Sequence, residues 1–540
     1  MRRFRRFEWL AFALVVVAGG WLRWVHLGTP SLWWDELVEI RTATVGGLGD
    51  VLREVRLGIP PGSGNAGAMP LDYVLLHAFL RWVPLPTPAH LEAYFRFPAF
   101  LYGVAALVVV GLFVRRFFDP EAALLATLLL ALSLPHVLYA AEVRFYALFV
   151  LATLGTLWAF GLLLERPDAR RAWAGHLVAG VLCVLTGLYG LLLVGLQYLV
   201  LAVVLLRRRD RTRLLAAWIA SGAVLGLVVT TYLTRGALGV QYTRAPDANL
   251  AAWSAFRETI GFFAIGNPGL VALALLAVVG VLLSRGERGP GNGALVGQLL
   301  ASGVAVPVIV VLARWKHYYF HPRHALFLLP AFVIVTAFGT LSLLRRLDPF
   351  VGLLGEPHRR RSAELVAVAL IVVGTQAPVV RAYLAHPETF FARTKTLHDM
   401  HGLVGRLAAD AARLGPDARF VILAERQSMP NAALSLYLRW YGLDRQVSLR
   451  GTADVQEVLA ALARPGATPD AVAQSTFVRA AVGLTPDFRR LLGVETPVGV
   501  VPNGARQAVV LAYSSPPPAA STGHFVRRTY VGFTTFEWSP

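Results

Sequence analysis

Two adjacent acids, Asp35 and Glu36, follow two tryptophans in "SLWWDELVEI" (31–40), directly after the apolar run "WLAFALVVVAGGWL" (9–22). Two kinds of role fit them. Asp is a good N-cap, and an acid in a first helical turn faces the positive end of the helix dipole, so the pair can simply start a helix. A carboxylate held at a membrane interface, partly out of water, can instead act as a general base. Neighbouring helical residues point about 100° apart, so the two acids need not share one role.

Arginines make a second set. Arg96 opens "RFPAF", Arg144 lies in "EVRFY" and Arg323 in "HPRH", each at the end of an apolar run. Interfacial snorkelling accounts for such arginines. A guanidinium fork also matches phosphate oxygens in pairs, and a lipid-linked phosphate would be a partner of that kind. Glu142, two residues before Arg144, either pairs with it or lines the same cavity. The densest polar–aromatic stretch is "RWKHYYFHPRH" (314–324), which holds Lys316, His317, Tyr318, Tyr319, His321, Arg323 and His324. Three histidines suggest zinc. However, Pro322 interrupts any helix that would align them, and no HExxH accompanies them. A cation–aromatic lining for sugar and phosphate fits the composition better.

The frame for these residues is a membrane. Of the 540 residues, 56% are hydrophobic and only 15% charged, too apolar for a soluble chain of this size. About eleven runs are long and apolar enough for spanning helices, near 9–27, 97–114, 121–140, 145–164, 172–188, 190–206, 214–234, 259–283, 294–313, 325–344 and 363–381. The net charge of +19 is carried almost wholly by arginine, the lysines being Lys316 and Lys395. The arginines gather in short loops such as "MRRFRR", "VRRFFDP", "ERPDARR" and "RRRDRTR". That is the positive-inside pattern and not a nucleic-acid footprint, and it puts those loops and the N-terminus in the cytoplasm. No small-residue cleavage site follows the first run, so it reads as an uncleaved first span. The single Cys183 lies inside an apolar run, permits no disulfide within the chain and reads as a core residue.

The other side receives the informative segments: 28–96, 140–146, 234–258, 314–324 and everything after about 382. In the 28–96 loop, "DELVEIRTATVG" and "GDVLREVRLG" have the period of short amphipathic helices. "LDYVLLHAFLRWV" reads as an interfacial or re-entrant helix. Residues 1–381 thus form a membrane domain, and 382–540 a soluble one. In the latter, helices over 394–415, 429–442 and 453–466 alternate with strands over 418–425, 445–451 and 506–514, ahead of a terminal aromatic strand pair. This is a small α/β domain. There is no GxxxxGK[ST], no Rossmann glycine fingerprint and no GxSxG, so nucleotide-driven chemistry has no support.

Taken together, "WWDEL", "MPLDYVLLH" (69–77), "RFPAFLYGV" (96–104), "EVRFYAL" (142–148) and "PRHALFLLPAF" (322–332) resemble the GT-C superfamily of integral-membrane glycosyltransferases. The likeness is greatest to the branch of protein O-mannosyltransferases and ArnT-like enzymes, glycosyltransferase family 39, and it covers roughly residues 9–345. It implies a GT-C fold, a sugar donor carried on a polyprenyl phosphate, and a lipid, glycan or protein acceptor on the outer face of the cytoplasmic membrane. It implies a catalytic role for Asp35 with Glu36 beside it. Arg96 and the stretch Lys316–Arg323 would hold the donor phosphate. No motif demands a cofactor, and a divalent cation, Mg or Mn, stays open. A polytopic transporter or flippase of lipid-linked sugars is the alternative, and a membrane scaffold the third. A transporter usually places ionisable groups at mid-membrane, whereas these apolar runs are nearly free of charge.

Overall fold

The computed structural model describes residues 6–57, 70–207, 211–233, 252–284, 290–315, 321–351, 357–392, 398–425, 428–443, 446–452, 455–464, 467–468, 472, 507–513, 525–530 and 533–538. The chain divides into two compact units. The first comprises Met1–Leu27, Gly46–Phe79 and Arg96–Pro387. The second comprises Gly28–Val45, Leu80–Phe95 and Glu388–Pro540.

The first unit is helical. Among the described residues, seven helices are long and apolar enough to cross a bilayer: Arg6–Trp24, Pro88–Phe117, Tyr146–Glu165, Thr212–Thr231, Gly293–Leu312, Pro322–Arg346 and Ala363–Ala385. The pair Ser254–Phe263 and Pro268–Leu283 makes an eighth if counted as one span, and Pro120–Leu132 and Gly190–Leu206 are shorter apolar helices. The eleven apolar runs differ from these because local backbone chemistry breaks some of them. In the run 121–140 the helix stops at Leu132. Ser133 is extended, and Pro135 begins a separate short helix, Leu134–Tyr139. In the run 259–283, Ile265 and Gly266 both take positive φ. The chain turns there by 107°, and the Asn267 side chain caps the next helix by accepting from Gly269 N at 2.9 Å. In the long outer loop, the two amphipathic helices are Trp34–Ala43 and Leu48–Leu57, followed by Pro70–Trp82.

Helix pairs approach closely where glycine allows it. A Cβ on Gly280 would lie 2.0 Å from the Gly339 carbonyl oxygen, and one on Gly339 the same distance from that of Ala277. The helices Pro268–Leu283 and Leu329–Val351 therefore pack backbone to backbone, the usual solution when lipid supplies no hydrophobic drive between helices.

Ion pairs mark one end of this bundle. Arg116 donates both Nη groups to Glu165, at 2.8 and 2.5 Å. Arg345 pairs with Asp119 at 3.2 Å, and Asp119 also caps its own helix by accepting from Ala122 N at 2.7 Å. Arg116, Glu165 and Arg345 all lie in the last turns of their helices. The starts of those same helices therefore lie at the opposite end, with Arg144 and Arg323 in or beside the first turns and Arg96 in the second turn of Leu91–Phe117.

The second unit is built on a five-stranded sheet of β1 (Phe420–Glu425), β2 (Val447–Thr452), β3 (Gln507–Ala512), β4 (Phe525–Tyr530) and β5 (Phe533–Trp538), in the order β2-β1-β3-β5-β4. β1 pairs in parallel with both β2 and β3, while β5 runs antiparallel to β3 and β4. The parallel half accords with the strand–helix alternation of the sequence, and the antiparallel half is the terminal aromatic pair. The helix Val455–Leu462 packs its Val455, Val458, Leu459 and Leu462 face onto β1 and β3. The helix Trp34–Ala43 packs against Ser428–Trp440.

Candidate active site

Asp35 lies in the first turn of the helix Trp34–Ala43, but it is not the N-cap. That position belongs to Trp33, and Glu36 closes the turn by accepting from Trp33 N through Oε2 at 3.2 Å. The capping task is therefore carried by Glu36, which is fully buried. Asp35 is partly exposed, and among the described residues its carboxylate has no hydrogen-bond or ion-pair partner. Among the described residues, both of its oxygens are therefore uncommitted.

In the first unit, the arginines at the end of the bundle away from the ion pairs fall into two groups. Arg323 opens the 3-10 turn Pro322–Leu328, where Pro322 supplies the fixed φ of a first helical position. Its guanidinium faces the Tyr139 hydroxyl, as do Glu142 and Tyr146. Arg144 lies in the bend before the helix Tyr146–Glu165, with its guanidinium 5.8 Å from the Phe145 ring and 6.0 Å from that of Tyr146. His324 is flanked by Arg323, His321 and Arg144. Three sequence-read residues, Glu142, Arg144 and Arg323, thus share one neighbourhood with His321, His324, Tyr139 and Tyr146. Tyr189 closes it, with its ring 6.1 Å from His324.

His321 stays neutral in this setting. Its Nδ1 accepts from Arg323 N at 3.1 Å. Burial, then the Arg323 charge, hold the ring well below its ordinary value, at about 4. His321 therefore adds a hydrogen-bonding group to the cluster without adding like charge to the two arginines.

Arg96 stands in a different group. It is fully buried and donates to the Leu27 carbonyl at 3.0 Å. Tyr383 senses the charges of both Arg96 and Arg23, and its ring meets His26 edge to face at 5.2 Å. Arg23 is also fully buried. It donates to the carbonyls of Gly19, Leu130 and Ala131 at 2.6, 2.9 and 3.2 Å, and to His136 Nδ1 at 2.6 Å. It therefore caps the C-terminal carbonyls of the helix Pro120–Leu132. Arg23, Tyr139 and Tyr383 escaped the sequence reading. Arg23 alone carried a signal, a charge between Leu22 and Trp24 at the end of the first span. Lys316, His317, Tyr318 and Tyr319 lie outside the described residues. Among those described, no three His, Cys, Asp or Glu side chains converge in a way that could hold a metal ion.

The fold is shared with known structures. ArnT from Cupriavidus metallidurans bound to undecaprenyl phosphate aligns with a TM-score of 0.55 at 15% identity, over 99% of this chain and 98% of that one. The chain has the fold of ArnT. The apo state of the same protein aligns with a TM-score of 0.54 at 15% identity, over 98% of both chains. The archaeal oligosaccharyltransferase AglB from Archaeoglobus fulgidus, in complex with an inhibitory peptide and a dolichol-phosphate, aligns with a TM-score of 0.50 at 12% identity, over 94% of this chain and 69% of that one. This is the GT-C membrane fold that the motifs resemble. No family model matches the sequence, and no curated protein matches it.

Proposed function

We propose that this chain is a membrane glycosyltransferase that moves a hexosyl or pentosyl group from a polyprenyl-phosphate donor to a lipid, glycan or protein acceptor. The transfer takes place on the outer face of the cytoplasmic membrane, with the N-terminus in the cytoplasm. The observation that carries this reading is the gathering of Arg144 and Arg323 with tyrosines, histidines and Glu142 at one end of a GT-C bundle. Such a cluster suits a phosphate that leaves with its negative charge, because fixed positive groups stabilise the charge as it develops. The undecaprenyl phosphate and dolichol-phosphate in the two similar structures support a lipid phosphate as the ligand.

In this reading, Asp35 takes the proton of the acceptor hydroxyl. The oxygen attacks the anomeric carbon, the bond from that carbon to the phosphate oxygen breaks, and polyprenyl phosphate leaves. Arg144 and Arg323 hold the phosphate, with the stretch Lys316, His317, Tyr318 and Tyr319 assigned to the same task and Arg96 left to a supporting one, since it stands in a separate group. Glu142 lines the sugar side. Glu36 supports Asp35 by fixing the turn that carries it.

The test uses the full chain in proteoliposomes with a panel of undecaprenyl-phosphate-linked hexoses and pentoses, and measures release of undecaprenyl phosphate. Release from at least one donor, lost in Arg144→Ala/Arg323→Ala, is the expected result. Transbilayer movement of the donors with no cleavage would establish the flippase instead.

A further inference from the structure

The second unit contains a buried polar network whose far end is the segment leading into Asp35. Glu92 is buried, and its Oε1 accepts two hydrogen bonds: from Tyr437 Oη at 2.7 Å and from His401 Nδ1 at 2.9 Å. The Tyr437 hydroxyl in turn accepts from the backbone N–H of Leu32 at 2.8 Å, and the His401 backbone N–H donates to Ser31 Oγ at 3.1 Å. Tyr441 stands 3.2 Å from His401 Nε2. Tyr437 is fully buried between the rings of Trp440 and His401. Residues 31 and 32 are thus fastened by side chains and backbone that arrive from more than 350 positions away, from the helices Met400–Leu414 and Ser428–Trp440.

This arrangement is informative because Asp35 has no side-chain partner among the described residues. Its carboxylate is placed only by the backbone that carries it: the Glu36 cap at Trp33 and the anchor at Leu32 immediately before. We infer that Tyr437, held by Glu92 and His401, is a positioning residue for the transfer reaction, and that the C-terminal α/β segment serves catalysis by fixing the start of the Asp35 helix. This inference rests on the reading of Asp35 as the base.

The test is Tyr437→Phe, which keeps the ring and removes the hydroxyl, in the full chain. The Leu32 amide loses its acceptor, so hydrogen exchange in the peptide spanning 28–45 should quicken. On the active donor of the panel above, kcat should fall about tenfold, since a misplacement of the order of 1 Å can cost up to ~10²-fold, while KM for the donor holds. In an Asp35→Asn background the same substitution should cost nothing more, because it acts through Asp35. A packing role alone would lower the melting temperature and leave kcat of the folded fraction unchanged, and that result overturns the inference. So does a further loss in the Asp35→Asn background. Full turnover by Asp35→Asn itself would overturn the base reading on which the inference stands, whereas loss with Asp35→Asn and none with Tyr437→Phe overturns the positioning role alone.

Discussion

The cation cluster of the first unit and the acid helix of the second hold their functional groups in opposite ways. Around Arg323 and Arg144, side chains position one another: Tyr139, Glu142, Tyr146, His321 and His324 all face the guanidinium groups or each other. Around Asp35 no side chain does so among the described residues, and the hydrogen bonds fall on Trp33 N and Leu32 N instead. The difference follows from the chemistry proposed for each. A phosphate is held by several donors whose directions must be fixed, and mutual contacts fix them. A base must keep its lone pairs for the substrate, so it has to be placed by its backbone.

The comparison breaks most sharply at Asp35. Asp35→Asn keeps the shape of the side chain and touches none of the hydrogen bonds that hold the helix. Turnover should fall by roughly 10²–10⁴, the range of a lost general base, with an unchanged melting temperature in detergent. Near-normal turnover would leave the acid helix without chemistry and remove one side of the contrast.

Arg323→Ala and Arg144→Ala come next. Each should raise KM for the lipid-phosphate donor by an amount worth on the order of 1.5–3 kcal/mol, the cost of a lost charge-assisted contact. Because the two arginines share His324 as a neighbour, the double variant should lose less than the sum of the two, and donor titrations of all three variants measure this. Strict additivity would mean that the cluster is two independent sites. Glu36→Gln should act differently from both. The substitution weakens the cap at Trp33, so stability should drop by about 1 kcal/mol, and turnover should fall less than in Asp35→Asn. A loss of turnover equal to that of Asp35→Asn, at unchanged stability, would give Glu36 an equal share in the chemistry.

The parts of this molecule that were legible in its sequence are those set by local pattern. Apolar runs of spanning length, the short amphipathic helices after the first span, and the strand–helix alternation after residue 398 all follow from periodicity within a few turns. The interruptions were hidden, because they depend on single residues such as Ser133, Ile265 and Gly266 inside otherwise uniform apolar runs. The motifs "EVRFY" and "HPRH" pointed to residues that share one neighbourhood, since each lies at the end of a helix whose opposite end carries an ion pair. Long-range pairings were not legible. Nothing local to Arg23 shows that it caps a helix ending more than 100 residues later. Likewise, nothing local to Glu92 shows that it binds Tyr437 and His401. One sequence read alone contains no record of contacts across such separations.

The smallest expected effect is also the one that sets the two regions in opposition most directly, through one histidine in each. His321, facing Arg323 and His324, is held at about 4, below its ordinary 6.5, by burial and the Arg323 charge. Its unfolded form takes up a proton first as the medium is acidified, so the stability of the first unit is whole above 6.5 and declines as the pH falls toward 4. His401, facing Glu92, Asp399, Tyr437 and Tyr441, is moved the other way. Its hydrogen bond to Glu92 raises it above 6.5 against the opposing effect of burial, and the charges of Glu92 and Asp399 add to the rise. Here the folded form holds the proton more tightly, so the contribution is whole below 6.5 and is lost as the pH rises through the raised value. Melting temperatures of the wild type, His321→Gln and His401→Gln, taken between about pH 4.5 and 8.5, separate the two. The advantage of the wild type over His321→Gln should shrink toward acid, whereas its advantage over His401→Gln should shrink toward alkali. Parallel curves for all three proteins would show that neither ring changes its proton affinity on folding, and the electrostatic contrast between the two regions would then reduce to the arginines and Asp35 alone.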